Sequence, residues 1–480
     1  MLVGLRALAG IAFVFACAML VCAGLALGAN DDDGLSVFGG LSLILLFFAI
    51  SIRLAFAGRR APLTRPLSFR ILILAWLIAP ALAMPPFLFL TDLNFHQAVF
   101  EAASAVTTTG ATALLNLDQV SKPVLGWRAW LQWLGGLGTL MSIIVVLAPS
   151  GAGGTPLLRL GGDSRQIMQN RLRGVLAAYV GVTLACFALL LAAGLPVFDA
   201  FALTLSTVST GGMMPRSGSL SDYGVPLAEW VIGVFMLLGA TSIMWHRIVT
   251  TGRLGRSVTL VESGSLAIIA LALAVAYSIA FAYAAGSGTV LAPITALREG
   301  FVTAVSLVTT TGFEARNAGA TALPLSLTLL MILIGGGMFS TAGGLKLYRL
   351  VLMARHSATE LENIIYPHAV HTDQIGRFSY SAEAMRAVWT ALVLFLLVWG
   401  VTALVLAWSG LPPDASLVAA LSAITNAGPV YQFGWAPSAF WPLYGEMTAL
   451  STYALSVAMV AGRLEVIGLV AGFSLLFFKR

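Results

Sequence analysis

The chain has 480 residues, 59% hydrophobic and only 10% charged. Soluble domains carry about 25% charged residues, so the composition excludes a soluble globular protein and fits an integral membrane protein. The formal net charge of +6 could suggest a nucleic-acid partner, but its distribution argues otherwise, and Cys17, Cys22 and Cys186 all sit in apolar runs that imply neither a disulfide framework nor a metal cluster.

Residues 7–28 form an apolar run of 22 residues after Arg6. A cleaved signal peptide with a cut near Ala23-Gly24 is the alternative, but a signal core is about 7–15 residues, so an anchored helix is favoured. Asn30-Asp31-Asp32-Asp33 is an acidic turn, residues 35–57 span back, and a basic loop follows. Residues 1–70 are therefore a two-helix N-terminal segment.

Four units follow, at 71–173, 174–262, 263–386 and 387–480. Each reads as a spanning helix, a half-helix with a loop, and a second spanning helix. Their segments are 71–91, 94–111 and 129–148; 174–194, 196–212 and 228–246; 264–285, 295–313 and 323–352; and 387–409, 413–429 and 443–477. The expected architecture is all-α and polytopic: two N-terminal helices plus four pseudo-symmetric helix–pore-loop–helix repeats, with ten spanning segments.

The repeat is marked by Thr107-Thr108-Thr109-Gly110-Ala111, which returns as Ser209-Thr210-Gly211-Gly212, as Thr309-Thr310-Thr311-Gly312-Phe313, and more loosely as Thr425-Asn426-Ala427-Gly428-Pro429. Glycines 110, 211 and 312 are 101 residues apart, and the step to 428 is 116. Self-similarity of this kind marks a repeated structural unit. Each copy ends a short apolar segment that begins near Glu101, Asp199, Glu299 or Asp414, and Ser104, Ser306 and Ser422 stand six residues before their glycines. Segments of about 10–14 residues cannot cross about 30 Å of hydrocarbon. They read as half-helices whose negative C-terminal ends point at a glycine-centred loop, with the acid at the positive N-terminal end. Irregular backbone at membrane depth must line a cavity or be buried in protein. Four such loops could replace a cation's hydration shell with carbonyls. The alternative is four small-residue bends in a packed bundle.

The cations support one orientation. Arg53, Arg59, Arg60, Arg65 and Arg70; Arg159, Arg165, Arg171 and Arg173; Arg247, Arg253 and Arg256; and Lys346, Arg349, Arg355, Arg377 and Arg386 all fall in loops expected on one side. With Arg6, Lys479 and Arg480 they make 20 of the 26 cations. The positive-inside rule places them in the cytoplasm, with both termini inside and the loops opening outward. Spread over four loops, they need no nucleic acid to explain them.

The second helix of the third unit is interrupted by Gly335-Gly336-Gly337-Met338-Phe339-Ser340-Thr341-Ala342-Gly343-Gly344-Leu345-Lys346. Each glycine costs a helix interior about 1 kcal/mol against alanine. The stretch reads as an unwound loop beneath the four loops, or as a close packing surface. A phosphate-binding loop does not fit, because no strand precedes it. In the last helix, Gly462-Arg463-Leu464-Glu465 places an arginine at membrane depth. It faces a cavity, pairs with Glu465, or snorkels to the interface. His368 and His371 have metal-ligand spacing but no third ligand nearby, and Trp127, Trp130 and Trp133 read as an interfacial aromatic belt. Neither a Ser-His-Asp set nor a carboxylate pair stands out to suggest an enzyme.

With these residues in view, the chain resembles the Trk/Ktr superfamily of potassium transporters, specifically its TrkH-type pore subunits. The resemblance rests on the four loops, Gln132-Trp133-Leu134-Gly135-Gly136-Leu137-Gly138, the break at 335–346, Gly462-Arg463-Leu464-Glu465 and the two extra N-terminal helices. It implies a K⁺-selective pore in the bacterial inner membrane, with K⁺ held by Thr108, Thr109, Gly110 and Ala111; Ser209, Thr210, Gly211 and Gly212; Thr310, Thr311, Gly312 and Phe313; and Asn426, Ala427, Gly428 and Pro429. It implies a gate formed by Gly335, Gly336, Gly337, Ser340, Thr341, Gly343, Gly344, Lys346 and Arg463. It also implies a homodimer among membrane lipids and a cytoplasmic nucleotide-binding regulatory subunit of the TrkA/KtrA type, with no cofactor beyond the transported K⁺. The chain departs from the family at Met338 and Phe339, where the loop has small residues, and at Met213 after the second loop. A Na⁺- or H⁺-coupled symporter is the alternative within transport, and a membrane-embedded enzyme or scaffold is the alternative outside it.

Overall fold

A computed structural model describes residues 2–57, 65–143, 165–242, 258–284, 293–317, 319–366, 374–375, 378–379, 382–434 and 441–464. Apart from a two-residue antiparallel pairing of Gln374–Ile375 with Phe378–Ser379, its regular elements are helices.

The N-terminal pair is a helical hairpin, Leu2–Ala29 and Asp32–Ala55. Asn30 turns the chain with a φ of 53°, and the Asp31 side chain accepts from the Gly34 amide at 2.8 Å. Asp32 and Asp33 in the first turn suit that helix's positive end. The hairpin packs on the first repeat through Trp127, which is fully buried, with the rings of Phe15 and Phe38 edge-on at 6.0 Å. Its Nε1 donates to the Ala83 carbonyl at 3.0 Å. Trp127 is thus a core residue and not part of an interfacial belt, because a buried carbonyl and two apolar rings satisfy both ends of the indole.

Each repeat is built as a helix, a short re-entrant helix and a second helix. The short helices are Phe95–Val106, Val197–Val208, Pro293–Val308 and Pro413–Ile424, with 12, 12, 16 and 12 residues. At 1.5 Å per residue they are about 18–24 Å long, too short to cross. Pro196 and Pro412 start two of them, and Asn94 with Gln97 forms a capping box on the first.

Among the described residues, six helices are long and apolar enough to cross a membrane: the N-terminal two and the first helix of each repeat. Exposed Leu184, Ile268 and Leu404 give the repeats' outer helices a lipid-facing surface. The second helices, Lys122–Ser142, Pro226–Ala240 and Ala449–Arg463, pack on the short helices. Their expected inner ends, to 148, 246 and 477, lie outside the described residues, as do His368, His371 and most of the cations of the 150–173 and 247–262 loops. In the third repeat the second helix is interrupted between Leu325–Ile334 and Leu347–Ile365.

Glycine sets the spacing between the inner helices and the re-entrant ones. Gly135, Gly239 and Gly462 lie against the carbonyls of Val106, Val208 and Ile424, the last residues of their own short helices. Gly181, on an outer helix, has open space where a Cβ would be. Gly135→Ala is therefore expected to destabilise by about 1–3 kcal/mol through overpacking. Gly181→Ala is expected to be neutral or to gain up to about 1 kcal/mol from helix propensity. Thermal unfolding of the two variants in detergent measures this contrast.

Candidate functional site

The four short helices end in the same way. Thr108, Thr210, Thr310 and Asn426 have left-handed φ values of 51°, 52°, 56° and 53°. The next amide in each copy, that of Thr109, Gly211, Thr311 and Ala427, donates back to the carbonyl of Ser104, Ser206, Ser306 and Ser422 at 2.8–2.9 Å. This is the αL helix cap, normally made by glycine. A β-branched threonine there is strained and persists only where its surroundings hold it. At three of the four positions those surroundings are polar. Thr310 Oγ1 accepts from the Gly343 amide at 2.7 Å, Thr210 Oγ1 donates to the Ser209 carbonyl, and Asn426 Nδ2 donates to Thr109 Oγ1 at 2.9 Å.

This geometry corrects the register of the second copy. Gly212, with a φ of 78°, matches Gly110 at 83° and Gly312 at 82°. Gly211 instead occupies the place of Thr109 and Thr311. The even spacing of 101 residues arises because Gly211-Gly212 offers two glycines. With the register corrected, Ser206 completes the set of serines six residues before each glycine.

The loops converge on one another. Gly110 lies against the Gly211 carbonyl and Gly212 against the Thr311 carbonyl, and a Cβ on Gly428 would stand 2.5 Å from the Ala111 amide nitrogen. The Gly428 amide donates to the Thr109 carbonyl at 2.7 Å. All sixteen predicted loop residues thus fall in or beside one cluster, and the C-terminal ends of four helix dipoles aim at it.

The acids of the short helices hold the returning chain. Glu101 is seven residues into its helix and buried, so it is not an N-terminal dipole partner as expected from sequence. It accepts from the Ala113 amide at 2.8 Å, from Thr112 Oγ1 at 3.1 Å and from Arg128 Nε at 2.8 Å. Arg128 also donates to the Met214 carbonyl beyond the second loop at 3.2 Å. Asp199 pairs with Arg216, Glu299 with Arg316 at 3.5 Å, and Asp414 accepts from Trp441 Nε1 at 3.0 Å. Gln132, read in the sequence only as part of a motif, donates to the Gly211 carbonyl at 2.8 Å.

The interrupted helix closes an intramembrane loop across the other side of this cluster. The Gly336 amide meets the Gly343 carbonyl at 3.3 Å, and the Leu345 amide meets the Leu333 carbonyl at 3.0 Å, so the two ends are joined. Gly335, Phe339, Gly344 and Lys346 have φ values of 67°, 59°, 78° and 73°. The loop reaches the second repeat through the Gly337 amide on the Ala240 carbonyl at 2.8 Å and Thr341 Oγ1 on the Gly239 carbonyl at 3.0 Å. Gly343 lies against Thr425 in the fourth repeat. Arg463 joins the remaining side: its Nε donates to the Thr107 carbonyl at 2.5 Å and its Nη1 to the Thr341 carbonyl at 2.6 Å. Arg463 is therefore buried at the junction of the first loop, the intramembrane loop and the last helix. Glu465, and with it the alternative ion pair, lies outside the described residues. Lys346 Nζ donates back to the Ala342 carbonyl.

Met338 and Phe339 are buried in an apolar cluster with Ile143, Tyr348, Leu352 and Met385. Their bulk anchors the loop outside its polar face. Sequence reading missed Glu262. This buried carboxylate, on the Val258–Ala284 helix where the second and third repeats join, accepts from the Met338 amide at 3.0 Å and the Tyr348 amide at 3.1 Å. It holds both ends of the loop, opposite Lys346 and Arg349. One signal was available, since a lone acid at the start of an apolar helix needs a partner.

A helical membrane protein with four re-entrant helices aimed at one cluster, and a glycine-rich loop lying across it, has the construction of a cation-transport protein. The sequence profile of the TrkH cation transport proteins matches residues 44–477, and the chain belongs to that family. It is 28% identical over 430 residues, 86% of each chain, to the Trk system potassium uptake protein TrkH of Salmonella typhimurium. It is 30% identical to a cation transporter of Methanocaldococcus jannaschii, covering 85% of this chain and 82% of that one. The crystal structure of the potassium transporter TrkH from Vibrio parahaemolyticus superposes with a TM-score of 0.86 at 26% identity, covering 99% of both chains.

Glu262→Ala removes a charged acceptor from two buried amides, each such bond being worth about 1.5–3 kcal/mol. Hydrogen exchange at the Met338 and Tyr348 amides is expected to rise by at least about tenfold. Exchange read by mass spectrometry checks this without any transport assay.

Proposed function

We propose that the chain is the pore-forming subunit of a potassium uptake system in the bacterial inner membrane. One observation carries the reading: four re-entrant helices with the same αL caps bring their C-terminal ends and loops together. This occurs in a TrkH-family chain whose relatives are named for potassium uptake. The backbone carbonyls of residues 108–111, 209–212, 310–313 and 426–429 replace the hydration shell of K⁺. Entry of a monovalent cation is favoured by about 2.3 kcal/mol per 100 mV of inside-negative potential, so passive uptake is energetically sufficient.

The intramembrane loop, with Gly335, Gly336, Gly337, Ser340, Thr341, Gly343, Gly344 and Lys346, is the inner gate, and Arg463 is its electrostatic threshold. Arginine stays charged at accessible pH, so it opposes a cation arriving from the filter. Opening means breaking the loop's bonds to Gly239, Ala240 and Arg463. The basic loops face the cytoplasm, where a nucleotide-binding regulatory subunit docks, and two copies of the chain pair in the membrane. The four repeats, 71–173, 174–262, 263–386 and 387–480, are the units that surround the pore.

Gly110→Ser and Gly212→Ser place side chains at positive φ against a neighbouring loop. In proteoliposomes both are expected to abolish Rb⁺ flux per inserted molecule or to admit Na⁺. Gly181→Ala serves as a folded control with wild-type flux. Wild-type Rb⁺ flux and Na⁺ exclusion in both serine variants would overturn the filter assignment.

A further inference from the structure

The fourth loop breaks the symmetry of the other three, and it does so at the centre of the cluster. After Asn426 it does not place its glycine at positive φ; residues 428–432 instead turn into a short 3₁₀ helix. This carries the ring of Pro429 toward the glycines of the three other loops. A Cβ on Gly110 would stand 3.1 Å from Pro429 Cδ, one on Gly212 would stand 3.4 Å from its Cγ, and one on Gly312 would stand 2.8 Å from its Cδ. One five-membered ring can touch three equivalent positions on three loops only from their common centre.

The bent fourth loop is tied in place by named bonds. The Gly428 amide donates to the Thr109 carbonyl at 2.7 Å, and the Gly428 carbonyl accepts from the Tyr444 hydroxyl at 2.9 Å. Tyr444 is itself buried, with the Tyr431 ring at 4.9 Å and the Phe100 ring at 5.1 Å. Two carbonyls that could face a cation are therefore engaged by protein donors. Proline explains why this loop behaves differently, since its φ is fixed near −65° and it restricts the residue before it.

We propose that Pro429 is a specificity-determining closure of the filter: its ring occupies the ion path, and a monovalent cation passes only when the 428–432 turn withdraws. This rests on the pore reading above. Withdrawal breaks the Gly428–Thr109 bond and returns the Thr109 carbonyl to the path. The entering cation competes with the Gly428 amide for that carbonyl, so it binds the open state and favours it. A strongly hydrated ion that gains less from the carbonyl opens the loop less, so the closure adds to selection. At low external permeant cation the loop closes and limits loss from inside.

The test is Rb⁺ and Na⁺ flux per molecule in proteoliposomes, without any partner, across a range of external Rb⁺. Pro429→Ala and Tyr444→Phe are the variants. Tyr444→Phe keeps the ring packing and removes one buried hydrogen bond from the closed loop, so flux at low external Rb⁺ should rise about fivefold. Pro429→Ala should raise it further, flatten its dependence on external Rb⁺ and narrow the Rb⁺-to-Na⁺ ratio. If Pro429→Ala fails to fold, Tyr444→Phe decides. Wild-type flux, dependence and ratio in the folded variants, with Gly110→Ser inactive, would overturn the proline closure and leave the pore reading standing. Wild-type Rb⁺ flux with Na⁺ exclusion in both Gly110→Ser and Gly212→Ser would overturn both readings.

Discussion

Backbone that leaves a helix within the membrane must find its hydrogen-bond partners in protein. Among the described residues the structure meets that constraint at four loops after short helices and at one break in a second helix. The solution at each is neighbouring backbone or a buried polar side chain. The loops pair with one another, the intramembrane loop pairs with the Gly239–Ala240 carbonyls, Thr210, Thr310 and Arg463 join the two layers, and Asn426 ties the fourth loop to the Met459 carbonyl of the last helix. The four loops and the intramembrane loop thus form one connected polar body.

That body is asymmetric although the scaffold repeats. Gly136 lies beside Ser209 and Gly343 beside Thr425, each next to the loop of the following repeat. Arg463 holds the same relation to Thr107. The first and third repeats meet the next at a glycine; the fourth meets the first with a guanidinium. The fourth loop departs again at Asn426 and Pro429. Departures from pseudo-symmetry thus lie in the interrupted helix of the third repeat and in the loop and last helix of the fourth.

The repeat, the half-length of the re-entrant helices and the break after Ile334 were legible because each depends on local chemistry. Apolar length, glycine density and cap residues can be read along the chain. Arg463 was legible because a charge at membrane depth demands a reason. The acids were visible, but their roles were not: Glu101 reads as a dipole partner until folding brings Ala113 and Arg128 to it. The second-repeat register failed because Gly211-Gly212 is ambiguous in one dimension, and only backbone conformation separates the two. Glu262, Gln132 and Tyr444 act across 76, 79 and 16 residues of sequence, so no local pattern names their partners. Trp127 looked interfacial because a tryptophan near a helix start usually is; the N-terminal hairpin covers it.

The most direct measurement of the central claim is the position of a bound ion. Anomalous diffraction from crystals grown in Rb⁺ or Tl⁺ should place a peak on the axis between the backbone of Thr108, Thr210, Thr310 and Asn426 and that of their following glycines. The carbonyls of at least three loops should surround it, with Pro429 drawn back. Strong anomalous density elsewhere in the molecule, with none among the four loops, would contradict the account.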